Sequence, residues 1–139
     1  MIEPLLESPY WIVDILPKQV PAHAPGQYFA VERYFLSEPQ RSAIRQKQIN
    51  VLLKLNCYMD IAVDEEQKNP APELLARWIR ERRLNVLVGG GLIVTDPDDT
   101  YMTVYNPDEE LLQLLKTLSA AEGLFVWRPA DQTICEEEN

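Results

Sequence analysis

Val86-Leu87-Val88-Gly89-Gly90-Gly91-Leu92-Ile93-Val94 sets three of the chain's five glycines between two runs of strand-forming residues. If the glycines open a phosphate loop, the chain belongs with doubly wound nucleotide folds. If they reverse a strand, the sheet is built from hairpins. Phosphate loops deliver the chain from glycine into a helix N-terminus, where free N–H groups and the positive dipole end hold the anion. Here the glycines lead into Leu92-Ile93-Val94-Thr95, then the turn sequence Asp96-Pro97-Asp98-Asp99, then a further strand, Tyr101-Met102-Thr103-Val104-Tyr105. No lysine followed by Ser or Thr closes a Walker pattern, and no second spaced glycine set follows. The glycines therefore predict a bulge or reversal between strands, or a place where another backbone or a ring approaches closely.

Outward from this hairpin, turn residues divide the chain into elements. Tyr10 to Leu16 is rich in β-formers and ends at Pro17, which predicts a strand. Pro17, Pro21 and Pro25-Gly26 make residues 17–27 an irregular connection. Gln27 to Phe35, "QYFAVERYF", alternates like a second strand able to pair with the first. Ser37-Glu38-Pro39-Gln40 has the form of a capping box. A helix should follow, with Ile44, Gln48, Val51, Leu52 and Leu55 inward and Arg41, Arg45 and Lys47 keeping their charges wet. Asn56 is the expected left-handed terminator, Tyr58 to Val63 a third strand, and 64–70 a polar loop.

Pro72 opens a second helix through Arg83, with Leu74, Leu75, Trp78 and Ile79 on its apolar side and Arg77, Arg80, Arg82 and Arg83 on the other. Asn106-Pro107-Asp108-Glu109 predicts a capped helix start, Leu111, Leu112, Leu114, Leu115 and Leu118 a broad apolar stripe, and Gly123 the stop. Leu124 to Trp127 returns as a strand. This order predicts an α+β fold: a two-layer sandwich with a mixed, mostly antiparallel sheet and about three helices. One domain should span residues 1–130, followed by an acidic tail over 131–139 whose composition favours disorder.

Composition narrows the functional classes. With 46% hydrophobic and 25% charged residues the chain reads as globular. No apolar run reaches the roughly 18–20 residues that cross a bilayer, and the acidic start Met1 to Glu7 does not resemble a secretory signal, so a cytoplasmic address is expected. Cys57 and Cys135 read as separate free thiols. The formal charge of −9 is uneven: −3 over residues 1–40, +3 over 41–83 and −9 over 84–139. Such a surface repels nucleic acid and anionic membranes and attracts basic proteins.

Candidate chemistry is sparse. One histidine, His23, sits in the proline-rich loop, and with two distant cysteines it shows no zinc-ligand spacing. A catalytic triad would have to use that histidine. Asp96, Asp98 and Asp99 lack the glycine and terminal glutamate of a calcium loop, so turn chemistry is the expected role. Asp14 and Glu32 could face one another across the first two strands, where burial would raise one carboxyl's pKa. The arginine-rich helix could bind an anionic ligand or pair with the protein's own acids. The expected function is a non-catalytic protein-interaction module, inhibitor-like or regulatory, that engages a basic partner without a cofactor or metal. The alternative is a binder of an anionic small molecule, or an enzyme, that uses Arg77, Arg80 and Arg83 or Gly89, Gly90 and Gly91.

Overall fold

A computed structural model describes residues 2–23 and 26–129. The expected acidic tail and Cys135 lie outside the described residues. The chain opens with the short helix α1 (Ile2–Leu5), the strand β1 (Tyr10–Asp14), the helix α2 (Tyr28–Phe35) and the long helix α3 (Gln40–Asn56). Two short strands, β2 (Ala62–Val63) and β3 (Gln67–Lys68), precede α4 (Pro72–Glu81). The hairpin strands β4 (Leu84–Val88) and β5 (Gly91–Thr95) then lead through β6 (Met102–Tyr105) and α5 (Glu109–Ala121) to β7 (Phe125–Trp127).

The seven strands form one sheet in the order β3-β2-β4-β5-β6-β1-β7. Every neighbouring pair is antiparallel, so the α+β class stands while the expected mixed sheet does not. β6 and β7 both run against β1 and so in the same direction on either side of it, and α5 carries the chain from one to the other past that strand. Five helices replace the expected three among the described residues.

The triple glycine resolves as strand reversal. Gly89 and Gly90 take φ values of 53° and 84° as the two loop residues between Val88 and Gly91, which pair with each other. Positive φ at both loop positions matches the twist of the flanking strands and suits glycine. Gly91 has a different reason: a Cβ there would lie 3.1 Å from the Tyr105 carbonyl oxygen and 3.2 Å from a Leu111 methyl.

The period-two register divides the sheet into two faces. Val13, Val86, Val88, Ile93, Met102 and Val104 meet Ile49, Leu52 and Leu55 of α3, Leu75 and Ile79 of α4, and Leu111 and Leu115 of α5 in one apolar core. The opposite face carries Tyr10, Ile12 and Asp14 of β1, paired with Tyr105, Thr103, Trp127 and Phe125 of the neighbouring strands. Leu92 and Val94 continue it on β5, against which α1 packs. Central β5 is buried at every position because both faces are covered.

Several local expectations need correction. Residues 28–35 are helical, and Tyr28 donates a hydrogen bond to Glu32 one turn later at 3.1 Å. Both edges of β1, the expected partner of this segment, are taken by β6 and β7, so its β-forming composition is overruled by tertiary placement. The first residues of α3 use no side-chain cap from Ser37; Glu38 instead accepts from the Ser42 backbone N–H and hydroxyl at 3.1 and 2.6 Å. Asn56 stays helical and donates to Asn69, while Asp64, Glu65 and Asn69 supply the positive φ values of the following hairpin. In α5 the cap is Asp108, whose Oδ1 accepts from the Leu111 N–H at 2.8 Å. Asn106, the expected cap, takes φ 55° and donates to the Gly90 carbonyl at 3.3 Å. The other end of α5 is as expected: Gly123 and Leu124 donate to the carbonyls of Ala120 and Ser119, the paired bonds of a Schellman stop.

Arg45 departs from expectation as well, being buried where a wet charge was foreseen. Its guanidinium donates to the Asp96 carbonyl at 2.7 Å and to the Asp99 carbonyl. The planar fork of donors matches this ring of turn carbonyls, which a lysine could not satisfy in the same way.

Candidate aromatic and acidic cavity

The second face of the sheet does not close over. β1 ends at Asp14, and the described residues after it, from Leu16 to Ala22, form an arch that lines the same cavity as the strand. Between this arch and the sheet lies a cavity of about 840 Å³, within the range that holds a drug-sized ligand. Its floor is Tyr10, Ile12 and Asp14 of β1 with Thr103 and Tyr105 of β6, and Tyr101 at one margin. Val20, Pro21 and Ala22 with Tyr28, Phe29 and Val31 form the facing wall, and Leu6 and Trp127 close the sides. Prolines in the arch limit its unfolded conformations, which lowers the entropy lost on holding the wall in place.

The aromatic lining is positioned by specific contacts. Trp127 donates its indole N–H to the Leu16 carbonyl at 3.1 Å, which ties the ring to the turn after β1. Tyr10 and Tyr105 stand opposite each other on neighbouring strands with ring centroids 5.5 Å apart. Tyr28 and Phe29 meet edge to face at 5.4 Å. Burial and the hydrogen bond to Glu32 push the Tyr28 hydroxyl up to about 12. Burial also raises Tyr101 and Tyr105, so all three phenols are neutral at physiological pH.

Asp14 is the distinctive member. Its residue is 7% exposed, and burial pushes its carboxyl up to about 6, against the pull of the Ile15 and Leu16 backbone donors and with a smaller push from Glu32. The Ile15 N–H reaches Oδ1 at 2.7 Å. Among the described residues no basic side chain pairs with Asp14, and no lysine or arginine lines the cavity. A carboxylate that is desolvated without a counter-ion is poised to accept one. Arg33, the base of α2, is exposed and lies off the wall.

The sequence-derived candidates fall elsewhere. Arg77 is exposed on α4, and Arg80 donates to Gln46 at 2.5 Å. Arg82 pairs with Asp64 at 2.6 Å and covers the Trp78 ring at 5.1 Å. Arg83 stands 4.0 Å from Asp96. Gly89, Gly90 and Gly91 lie at the far end of β4, roughly 17 Å along the strand from Arg83, so the two groups form no common site. The Asp96–Asp99 turn is held by its own bonds, Asp98 N–H to Asp96 Oδ1 at 2.9 Å among them, and by Arg41 and Arg45. No group of three His, Cys, Asp or Glu that could hold a metal occurs among the described residues. His23 is exposed outside the cavity and Cys57 is an exposed thiol at the end of α3. No helix among them is long and apolar enough to cross a membrane.

Sequence reasoning did bring Asp14 and Glu32 together as a candidate pair, but across two strands. They approach instead from strand and helix, close enough for Glu32 to raise Asp14. The ring of aromatics was missed. Its signal was the alternation Tyr10, Ile12, Asp14 and Tyr101, Thr103, Tyr105, with an acid set inside a run of strand-forming apolar residues. The chain matches no family model, no curated protein and no solved structure.

Proposed function

We propose that the protein is a non-catalytic binding protein that recognises an organic cation in the cavity between β1 and α2, the cation being carried by a basic partner. The observation that supports this is the Asp14 carboxyl, buried in an aromatic wall without a cation of its own. An ammonium or guanidinium group entering the cavity exchanges water for a charge-assisted hydrogen bond to Asp14. The rings of Tyr10, Tyr105 and Trp127 in the lining would add cation–π attraction to a cation that meets their faces, and it grows as water is excluded. Both terms favour positive charge and disfavour an anion. The net charge of −9 steers such a partner towards the surface. An anionic ligand at Arg77, Arg80 or Arg83 draws less support, since Arg80 and Arg83 already face the protein's own polar groups.

Calorimetric titration at pH 8 with n-butylammonium, tetramethylammonium, n-pentanol and pentanoate tests this reading. The cations are expected to bind at least about tenfold more tightly than the alcohol, a difference of roughly 1.4 kcal/mol, and pentanoate not at all. Asp14→Asn should remove the preference. Equal binding of alcohol and ammonium, or a preference for pentanoate, would overturn it.

A further inference from the structure

The cavity mouth has a second property that a free small cation would not use. Three of the six large apolar side chains exposed among the described residues lie at it: Leu6 at 40%, Phe29 at 74% and Val31 at 43%. Leu6, Phe29 and Val31 also line the cavity, so the buried aromatic wall continues outward as an apolar rim along α2. Scattered exposed apolar residues need no explanation, but a contiguous group beside a concave site marks a macromolecular surface. Volume points the same way. The cavity, at about 840 Å³, is of a size that holds a drug-sized ligand, so one alkylammonium chain leaves much of it unfilled, whereas a side chain with apolar neighbours can fill both cavity and rim.

Resting on the cation reading, we propose that the occupant is a linear segment of a partner protein: one lysine or arginine enters towards Asp14, and flanking apolar side chains dock on Leu6 and on Phe29 and Val31 of α2. Charge complementarity fixes the inward residue, because Asp14 lines the cavity with Glu32 close by and without a basic residue in that lining. The apolar rim fixes the flanks. Centre and periphery thus divide as in protein interfaces, with a desolvated anchor surrounded by contacts that exclude water.

Selection of a random linear dodecapeptide library on the whole chain, followed by affinity measurement of the enriched peptides, tests the proposal. Enriched peptides should share a lysine or arginine with a large apolar residue within three positions. Their affinity should fall at least about tenfold on Asp14→Asn and about fivefold or more on Phe29→Ser. The latter variant should leave the melting temperature unchanged, because the Phe29 side chain is largely exposed. If n-butylammonium binds but no peptide is enriched, or if Phe29→Ser leaves peptide affinity unchanged, the peptide proposal fails while the cation reading survives. If enriched peptides carry no basic residue and n-butylammonium does not bind, both fail.

Discussion

Replacing Asp14 by asparagine should stabilise the fold, and by an amount that depends on pH. The asparagine oxygen can still accept the Ile15 N–H that now reaches Asp14 Oδ1 at 2.7 Å, so the change removes charge and little else. Burial lifts the carboxyl from an ordinary 3.8 to about 6. At about 1.4 kcal/mol for each pKa unit, ionisation costs the folded state up to ~3 kcal/mol. Water in the open cavity screens part of that cost and leaves ~2 kcal/mol. Between these two pKa values the folded chain keeps a proton that the unfolded chain releases, so wild-type stability falls as pH rises through this window. Urea unfolding of both proteins from pH 3 to pH 8 isolates the effect, since other carboxylates cancel in the difference. The variant should match the wild type near pH 3 and exceed it by ~2 kcal/mol above pH 7, with an unchanged m-value. A difference that is flat across the range, or a variant less stable at pH 7, would refute a desolvated, unpaired Asp14. A residue whose removal stabilises the fold is one retained for a purpose other than stability.

Asp108→Ala should cost about 1 kcal/mol through loss of the α5 cap, whereas Asn106→Gly should be nearly neutral because Asn106 has φ 55°; equal losses in urea midpoints would contradict the placement of the cap. Gly91→Ala should destabilise by about 1–3 kcal/mol, since the new methyl meets Tyr105 backbone at 3.1 Å, and phosphate should protect neither it nor the wild type in a thermal melt. Leu115→Ala should cost roughly 2–5 kcal/mol, as this side chain is fully buried beneath the sheet; a loss below 1 kcal/mol would place the core on another face of α5.

Legibility in the sequence followed the range of the interactions involved. The β4–β5 reversal was readable because glycine chemistry is local, and α3, α4 and α5 because each carries more than two turns of apolar periodicity. The segment of α2 read as a strand because "QYFAVERYF" alternates and is rich in β-formers. Strand pairing with β1 is closed to it, because β6 and β7 occupy both edges of that strand. The cap position shifted by two residues, from Asn106 to Asp108, because asparagine and aspartate both favour the role. Arg45 looked like a surface base because the carbonyls that hold it come from a turn some fifty residues later. The cavity was least visible for the same reason, joining residues from Leu6 through Phe29 to Tyr105 and Trp127. Only its acid stood out, as a charge inside Tyr10 to Leu16.

The central claim is that the cavity binds positive charge through Asp14. Titration of the Asp14 carboxyl by carbon NMR, with and without saturating n-butylammonium, tests it most directly. A cation that binds the ionised form tenfold more tightly lowers the carboxyl's apparent pKa by about one unit. The account predicts such a fall from about 6, with the aromatic resonances of Tyr105 and Trp127 moving in the same titration. An Asp14 pKa that stays where it was, or rises, while n-butylammonium is bound would contradict it.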